Sequence, residues 1–318
     1  MTAQKKSLLP LTSDFVFKAV YGQDTPESNA ALRALLNCLL DMKDKPIQWV
    51  RCENPFVAAD HITGKEAILD IKACLSSGQL VDLEMQVNHL QHFVNRSIFY
   101  MGKLITSSLD KGQNYGKTKP TIVISIVDGL LFPNRPSAHS QFTLHERDKK
   151  FELTDLTQIH FLELSKIDLT KPVNEMTKYE RIGAYFKYAS DESKQDLITE
   201  LSHYEPEVIA LTEPIFKEIS YDDRMRDLEE AHDKYLHDMA TLREEALESG
   251  RAEGLEKGLA EGLEKGLAEG LSKGRAEGET TITQLHAKLI AEERFDDLKR
   301  SCEDKVFRDN LLAEYNLK

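Results

Sequence analysis

Hydrophobic positions in the N-terminal half of the chain switch between helical and strand-like spacing. Helical spacing is found at 12–22, 27–43 and 90–112. Strand-like spacing is found at 47–57, 66–87 and 120–132. Residues 66–87 contain two alternating runs separated by residues 76–79, which indicates a β-hairpin with its turn there. The predicted order of elements to this point is ααβββαβ.

The C-terminal half is predicted to begin with strands and to continue as helices. Two strands are predicted at 141–147 and 158–164, beyond a loop rich in Pro and Ser. Helical spacing then predicts three helices between about residue 174 and residue 239. The predicted segments are a mixed α/β body at 1–239, a glycine-repeat helical arm at 240–279 and a small helical tail at 280–318.

The arm has a glycine at every fourth position from Gly250 to Gly278. Leucines form a second column at the same spacing, and Glu alternates with Lys in a third. The six i,i+4 Glu/Lys pairs stabilise a helix by about 1 to 3 kcal/mol together. The eight glycines destabilise it by about 6 to 8 kcal/mol relative to alanine. An isolated arm is therefore not expected to hold a helix.

Two alternative structures are possible for this arm. If its five leucines are buried against a partner, they contribute about 7 to 15 kcal/mol, and the glycines allow two helix backbones to approach closely. The arm is then helical only when packed against another copy or against the body, and it pairs subunits into a homo-oligomer, expected to be a dimer. Because the octads are nearly identical, the alternative is a flexible spacer that arose by slippage of a gene repeat.

Charge, cysteine spacing and the absence of long apolar runs exclude several classes of protein. The net charge of -13 argues against coating by nucleic acid through bulk electrostatics, although residues 88–120 hold five Lys or Arg and the single acid Asp110. The four cysteines show no CxxC spacing, and His89 and His92 lack a third ligand, so no disulfide or zinc site is expected. No signal peptide or membrane-spanning run is recognisable, and we expect a cytoplasmic protein.

The predicted hairpin carries polar side chains on one face and aliphatic side chains on the other. Asp70 and Lys72 share a face of the first strand, and Asp82, Glu84 and Gln86 share a face of the second. A register that pairs Asp70 with Glu84 keeps the polar sets together and places two carboxylates side by side. A divalent cation between them is one physical reason to tolerate the repulsion. The other interpretation is an ordinary hairpin with one solvated face.

Four segments together resemble a known superfamily of enzymes. They are 14-DFVFKAVYG-22, 69-LDIKA-73, 82-DLEMQ-86 and 93-FVNRSIFYMGKL-104. In this order they resemble the PD-(D/E)XK nucleases, and within them the Rpn group of recombination-promoting nucleases, also labelled transposases. The resemblance covers roughly residues 8–240, and a glycine-repeat tail recurs in the same group. It implies a restriction-endonuclease-like fold and a Mg²⁺-dependent DNA endonuclease linked to recombination or mobile elements.

The resemblance also implies roles for residues of the hairpin. Asp70 and Glu84 would be catalytic and, with the carbonyl of Met85, would hold Mg²⁺. Gln86 falls where the superfamily has a lysine, and an amide can orient a water molecule but supplies no cation. Lys72, on the same face as Asp70, is a candidate to compensate. Because Gln86 departs from the superfamily pattern, the alternative function is a catalytically weak nuclease fold retained for DNA binding or assembly.

Candidate DNA contacts lie on the helix after the hairpin. Arg96, Tyr100 and Lys103 recur at i, i+4 and i+7 and so share one side. There they would bind phosphates and stack on a base, although a solvated helix face explains the same stripe. Asp14 in the first helix is a candidate third acid near the metal, and equally a charge that stabilises the helix N-terminus.

Overall fold

The computed structural model describes residues 7–42, 44–54, 71–87 and 90–317. Its helices are α1 (Asp14–Tyr21), α2 (Pro26–Leu39), α3 (Phe93–Ser107), α4 (Lys178–Tyr188), α5 (Gln195–Tyr204), α6 (Pro206–Tyr221), α7 (Asp223–Ala291), α8 (Phe295–Glu303) and α9 (Lys305–Glu314). Its strands are β1 (Val50–Cys52), β2 (Ile71–Leu75), β3 (Leu80–Gln86), β4 (Thr121–Val127), β5 (His139–His145) and β6 (Glu152–Glu163). The chain divides into two compact units, Met1–His237 and Asp238–Lys318.

The described strands of the first unit form one mixed sheet in the order β1-β2-β3-β4-β6-β5. β2 and β3 are antiparallel, and the turn between them contains Gly78 with φ 84°, a left-handed conformation that suits glycine. β4 runs parallel to both β3 and β6, whereas β1 and β5 add the antiparallel edges. This sheet, flanked by helices, confirms the predicted α/β class with a restriction-endonuclease-like architecture.

The described part of the hairpin has the predicted register. Ile71 lies opposite Leu83, and Lys72 lies opposite Asp82. Residues that are directly opposite point to the same side of a sheet, so Lys72 lies on the face of Asp82. The predicted partner of Glu84, Asp70, lies outside the described residues.

Helices cover both faces of the sheet. Leu83 and Met85 of β3 belong to the main hydrophobic core, which also contains residues of α1, α2, α4, α5 and α6. On the opposite face α3 packs Phe93 against Val127 of β4 and Phe161 of β6. The interpretation of the hairpin as having one solvated face is therefore wrong, since β3 is buried on both of its faces.

Some element boundaries differ from those predicted. β6 begins at Glu152 rather than at residue 158, because its first residues pair with β5 to form a hairpin. In place of three helices before residue 239, the structure has α4, α5, α6 and the beginning of α7. Pro206 explains one of these breaks: it begins α6 directly after α5, and proline is favoured in the first turn of a helix.

Helix α7 runs from Asp223 to Ala291 and includes the whole glycine repeat. The leucine column from Leu255 to Leu271 is between 59% and 77% exposed, and a Cβ added at any glycine from Gly250 to Gly278 would meet open space. Both columns are therefore largely exposed along α7. Packing against a second copy stays a prediction.

The C-terminal residues of the second unit form a small helical core. Leu285 and Leu289 near the end of α7 pack with Leu311 and Leu312 of α9. Arg294, between α7 and α8, stabilises this arrangement through an ion pair 2.9 Å from Glu314 of α9. None of the described helices combines the length and apolar character needed to cross a membrane.

Candidate active site

Two acidic side chains lie inside strand β3. Asp82 is 0% and Glu84 is 1% exposed. Because they are two residues apart on one strand, they point to the same side, with backbones roughly 7 Å apart. Ser125 of β4 lies opposite Glu84 and is also fully buried. A strand interior is a costly place for charged groups unless cations compensate them.

Helix α3 brings a guanidinium group to these acids. Arg96 Nη2 lies 3.6 Å from Glu84 Oε2, and it donates a hydrogen bond to Gln86 Oε1. The same guanidinium lies over two aromatic rings, 4.5 Å from the centroid of Phe93 and 5.9 Å from that of Tyr100. Arg96 therefore joins the helix and the strand into one polar cluster.

The pKa of Glu84 shows that nearby cations offset only part of the cost of burying its charge. Its pKa is raised to about 7, first by burial and then by the charge of Asp82, while Arg96 and Lys18 act in the opposite direction. A further cation next to this carboxylate would favour its ionised form. Strongly shifted pKa values of this kind are typical of functional sites.

A second cation, Lys18, comes from helix α1. It is only 5% exposed, and its Nζ lies 3.0 Å from Oδ1 of Asp14, one turn earlier. His232 of α7 also approaches Asp14, with 3.9 Å between Nε2 and Oδ2. Asp14 is the first residue of α1, so its charge also stabilises the helix N-terminus. Its role as a third metal ligand stays a prediction.

The other residues predicted for the site are spread over its surroundings. Lys72 Nζ forms an ion pair with Glu53 at 2.9 Å. Lys103 is exposed on α3, and Tyr100 is half-buried beside the guanidinium of Arg96. The side chain of Met85 belongs to the main core, so only its backbone carbonyl is a candidate metal ligand.

The remaining predictions concern Asp70 and two histidines. Asp70 and His89 lie outside the described residues. His92 is exposed, as expected for a surface histidine, and it precedes α3 in a left-handed conformation with φ 62°.

Two functional candidates were not assigned a role from the sequence. The alternation of β3 places Asp82 on the polar face with Glu84, and the D-x-E spacing was the available signal. Lys18 interrupts an apolar run in α1, which is the sequence signature of a charge held inside the fold. Neither pattern shows by itself that the charge lies inside the fold, because that depends on the burial of both residues in the structure.

The oxygen donors of this site fit a hard divalent cation. Glu84 Oε2 and Ser125 Oγ are buried without a hydrogen-bond partner among the described residues, and carboxylate and other oxygen ligands are those that Mg²⁺ prefers. Within the described ranges no group of three or more His, Cys, Asp or Glu could hold a metal ion. The second carboxylate predicted for the site, Asp70, is not among these residues.

The chain has a mixed sheet flanked by helices, and the acids of an inner strand lie near an arginine of helix α3. The architecture is that of a restriction-endonuclease-like protein. The chain belongs to the PD-(D/E)XK nuclease family transposases, since the model of this family matches residues 11–246. Comparisons with curated proteins and with solved structures gave no significant match. Membership indicates a nuclease- or transposase-related function, and PD-(D/E)XK nucleases generally use divalent metal ions.

Proposed function

We propose that the chain is a Mg²⁺-dependent DNA endonuclease that hydrolyses phosphodiester bonds and acts in recombination or the movement of mobile elements. The observation that supports this most is Glu84, a carboxylate buried in an inner strand with its pKa raised to about 7. An apolar side chain would fill such a position at lower cost, so a function explains the acid better than stability does.

The metal ligands in this proposal are Asp70, Glu84 and the backbone carbonyl of Met85. When bound there, Mg²⁺ supplies a water ligand of lowered pKa and offsets charge on the phosphate. Gln86 accepts a hydrogen bond from Arg96 through Oε1. We assign the amide group of Gln86 to orient the attacking water or a phosphate oxygen.

DNA would be held along α3. Lys103 is exposed and would contact a backbone phosphate, and Tyr100 would stack on a base. Arg96 differs from both, because its guanidinium is already engaged by Glu84 and Gln86. We therefore assign Arg96 to the site itself, where it limits repulsion between the acids and the incoming phosphate.

A catalytically weak nuclease fold that binds DNA or supports assembly is the second candidate function. The observation that favours it is Gln86, which stands at the lysine position of the superfamily and supplies no positive charge. If this second function is right, the protein should bind DNA without a metal and should not cleave it. If the nuclease function is right, cleavage should need both carboxylates and a metal.

Cleavage of supercoiled plasmid by the purified full-length chain tests the proposal. We expect nicked or linear DNA with Mg²⁺ or Mn²⁺ and none with EDTA. Asp70→Ala and Glu84→Ala should abolish cleavage, while Glu207→Ala, which removes a largely exposed acid on α6, should retain it. Circular dichroism confirms that the variants are folded.

The outcomes of this assay separate the two candidates. Binding without cleavage by the wild type would support the weak nuclease fold. Equal cleavage by the wild type and both site variants would mean a contaminating nuclease and would remove the support for the assignment. Gln86→Lys should keep or raise activity if the amide occupies the lysine position, and a complete loss would show that glutamine has a required role of its own.

A further inference from the structure

The side of α3 that faces away from the sheet exposes apolar side chains close to the candidate active site. Phe99 is 67% exposed and its neighbour Ile98 is 55% exposed. Single exposed apolar residues are ordinary on protein surfaces, whereas adjacent ones on an otherwise polar helix face indicate a binding surface. Gly102, on the next turn, is also exposed, and a Cβ built there would meet nothing within 4 Å. This side of the helix is therefore open to a partner.

A continuous set of contacts leads from the acids of β3 to Phe99. Arg96 Nη2 lies 3.6 Å from Glu84 Oε2, and the guanidinium carbon of Arg96 lies 5.9 Å from the centroid of the Tyr100 ring. The Tyr100 ring lies 6.1 Å from the Phe99 ring, measured between centroids, at an angle of 56°. Phe99 is the exposed end of this row, so a DNA strand with a phosphate at the acids can bring a nearby base to its ring.

The charge around this surface favours a polyanion as the partner. Helix α3 contains no acidic residue, and Lys103, one turn after Phe99, is exposed. The loop between α3 and β4 contains one acid and three exposed lysines, namely Asp110, Lys111, Lys117 and Lys119. Because the whole chain carries a net charge of -13, this concentration of lysine is local. Phosphates are the groups that it attracts.

The same loop holds a second exposed aromatic ring. Tyr115 is 86% exposed and begins a short 3-10 turn, Tyr115–Lys117. Ser108 Oγ, directly after α3, accepts a hydrogen bond from the backbone of Lys119 at 3.3 Å, so the loop closes at the C-terminal end of the helix. Exposed rings combined with lysines that bind phosphates are typical of surfaces that bind single-stranded nucleic acid.

The state of the bases decides whether such rings can be used. In a duplex the bases are stacked on one another, and a ring can stack on a base only after the duplex is opened at a cost in free energy. We propose that the substrate of this nuclease is DNA with unpaired bases, and that Phe99 and Tyr115 stack on those bases while Lys103 and the loop lysines contact the phosphates. This inference rests on the proposed nuclease function and names its substrate class.

A second exposed apolar surface differs from this one in charge. Phe151 is 58% and Leu153 is 71% exposed, beside the turn between β5 and β6. In residues 144–155 four acids outnumber three Lys or Arg, so this surface does not suit a phosphate backbone. Phe151 therefore resembles Phe99 in exposure but not in charge, and it provides the matched control.

DNA binding without cleavage tests this inference. The probes are three fluorescently labelled DNAs of equal length: a mixed-sequence single strand, the same sequence as a duplex, and an abasic strand that keeps the phosphates but lacks the bases. Anisotropy titrations of the full chain in EDTA give the affinities at one salt concentration. We expect the single strand to bind about tenfold or more tightly than either other probe. The duplex has the higher density of phosphate charge, so electrostatics alone would give the opposite preference.

Substitutions assign the preference to the ring. Phe99→Ala should weaken binding of the single strand about fivefold or more, the usual effect of losing one stacked base, and should change binding of the abasic strand little. Phe99→Trp should retain single-strand binding, because the larger ring still stacks. Phe151→Ala should leave all three affinities unchanged. In Mg²⁺ the wild type should cut circular single-stranded DNA faster than relaxed circular duplex, and Phe99→Ala should reduce this difference.

The results separate this inference from the nuclease proposal. Equal wild-type affinity for the single strand and the abasic strand, or equal affinities of Phe99→Ala and Phe151→Ala, would overturn the inference and leave the nuclease proposal intact. A changed molecular mass of Phe99→Ala with unchanged DNA affinity would make this face a contact between copies of the chain, and would also overturn it. Base-dependent binding that Phe99→Ala weakens, in a wild type that cuts no DNA, would support the binding surface and remove only the nuclease function.

Discussion

Strand β3 and the glycine repeat of α7 depart from the usual distribution of side chains in opposite ways. The strand buries Asp82 and Glu84 almost completely, whereas the repeat leaves leucines such as Leu263 up to 77% exposed. Acids belong at the surface and contiguous leucines belong in a core. In our proposal the strand binds a cation and a phosphate, and the repeat binds a second copy of the chain.

The two regions differ in how firmly their surroundings hold them. β3 is fixed by the main core on one side and by Phe93 and Arg96 of α3 on the other. The repeat has open space at every glycine from Gly250 to Gly278. A preorganised site can perform chemistry, whereas an uncovered helix offers a surface for association. Substitutions should accordingly change cleavage in the first region and molecular mass in the second.

The largest effect is expected for Glu84→Gln. Loss of this proposed metal ligand should reduce cleavage by about 1,000-fold or more. The metal-free protein should nevertheless become more stable at pH 8. The folded-state pKa of Glu84 is about 7 against an ordinary value of 4.5, so the contribution of Glu84 to stability is largest below pH 4.5 and is lost as pH rises through 7. Glutamine avoids this loss.

Thermal melts in EDTA at pH 5 and pH 8 measure this effect. We expect Glu84→Gln to stabilise the fold by on the order of 2 kcal/mol at pH 8 and by much less at pH 5. Leu263→Gln in the repeat is the comparison and should change neither cleavage nor the pH dependence. A lower melting temperature for Glu84→Gln at pH 8 would mean that the carboxylate is a stabilising part of the fold.

Assembly should depend on the leucine column of the repeat. We expect the full chain to be a dimer and expect a monomer when all leucines of the column, Leu255, Leu259, Leu263, Leu267 and Leu271, are replaced by Gln, because their burial is the main favourable term. Light scattering measures the mass. Replacing Ala252, Ala260, Ala268 and Ala276 by Gln is the control for surface composition. A monomeric wild type would leave the repeat as a spacer.

A smaller effect is expected on DNA affinity. Lys103→Glu should weaken binding several-fold and reduce the slope of log affinity against log salt by about one, since one phosphate contact is lost. Arg96→Glu should lower cleavage more than affinity, because Arg96 is bound to Glu84 and Gln86. Anisotropy titrations at several salt concentrations test both. Unchanged affinity and slope for Lys103→Glu would make this side of α3 an ordinary solvated face.

The sequence predicts most of the elements because their signals are local. The apolar spacing that predicts α1 and α2 and the alternation that predicts the hairpin depend on neighbours only a few residues away. The cover over β3 is not local. It depends on helix α3, whose Phe93 packs against Phe161 far along the chain and whose Arg96 reaches Glu84. The electrostatic role of Lys18 is hidden for the same reason.

The smallest effect, and the most direct test of what the glycines do, is expected for Gly262→Ala. A Cβ at this position meets open space within one chain, and alanine favours a helix by about 0.8 to 1.0 kcal/mol over glycine. An isolated arm should therefore gain helicity, measured by circular dichroism. If the glycines allow two copies to approach closely, the added methyl group should at the same time weaken the dimer, measured by sedimentation.

Ala268→Gly, in the same helix, should lower helicity without improving association. Higher helicity with an unchanged dimer would show that the glycine column does not face the second copy, and that the leucines alone hold the two arms together.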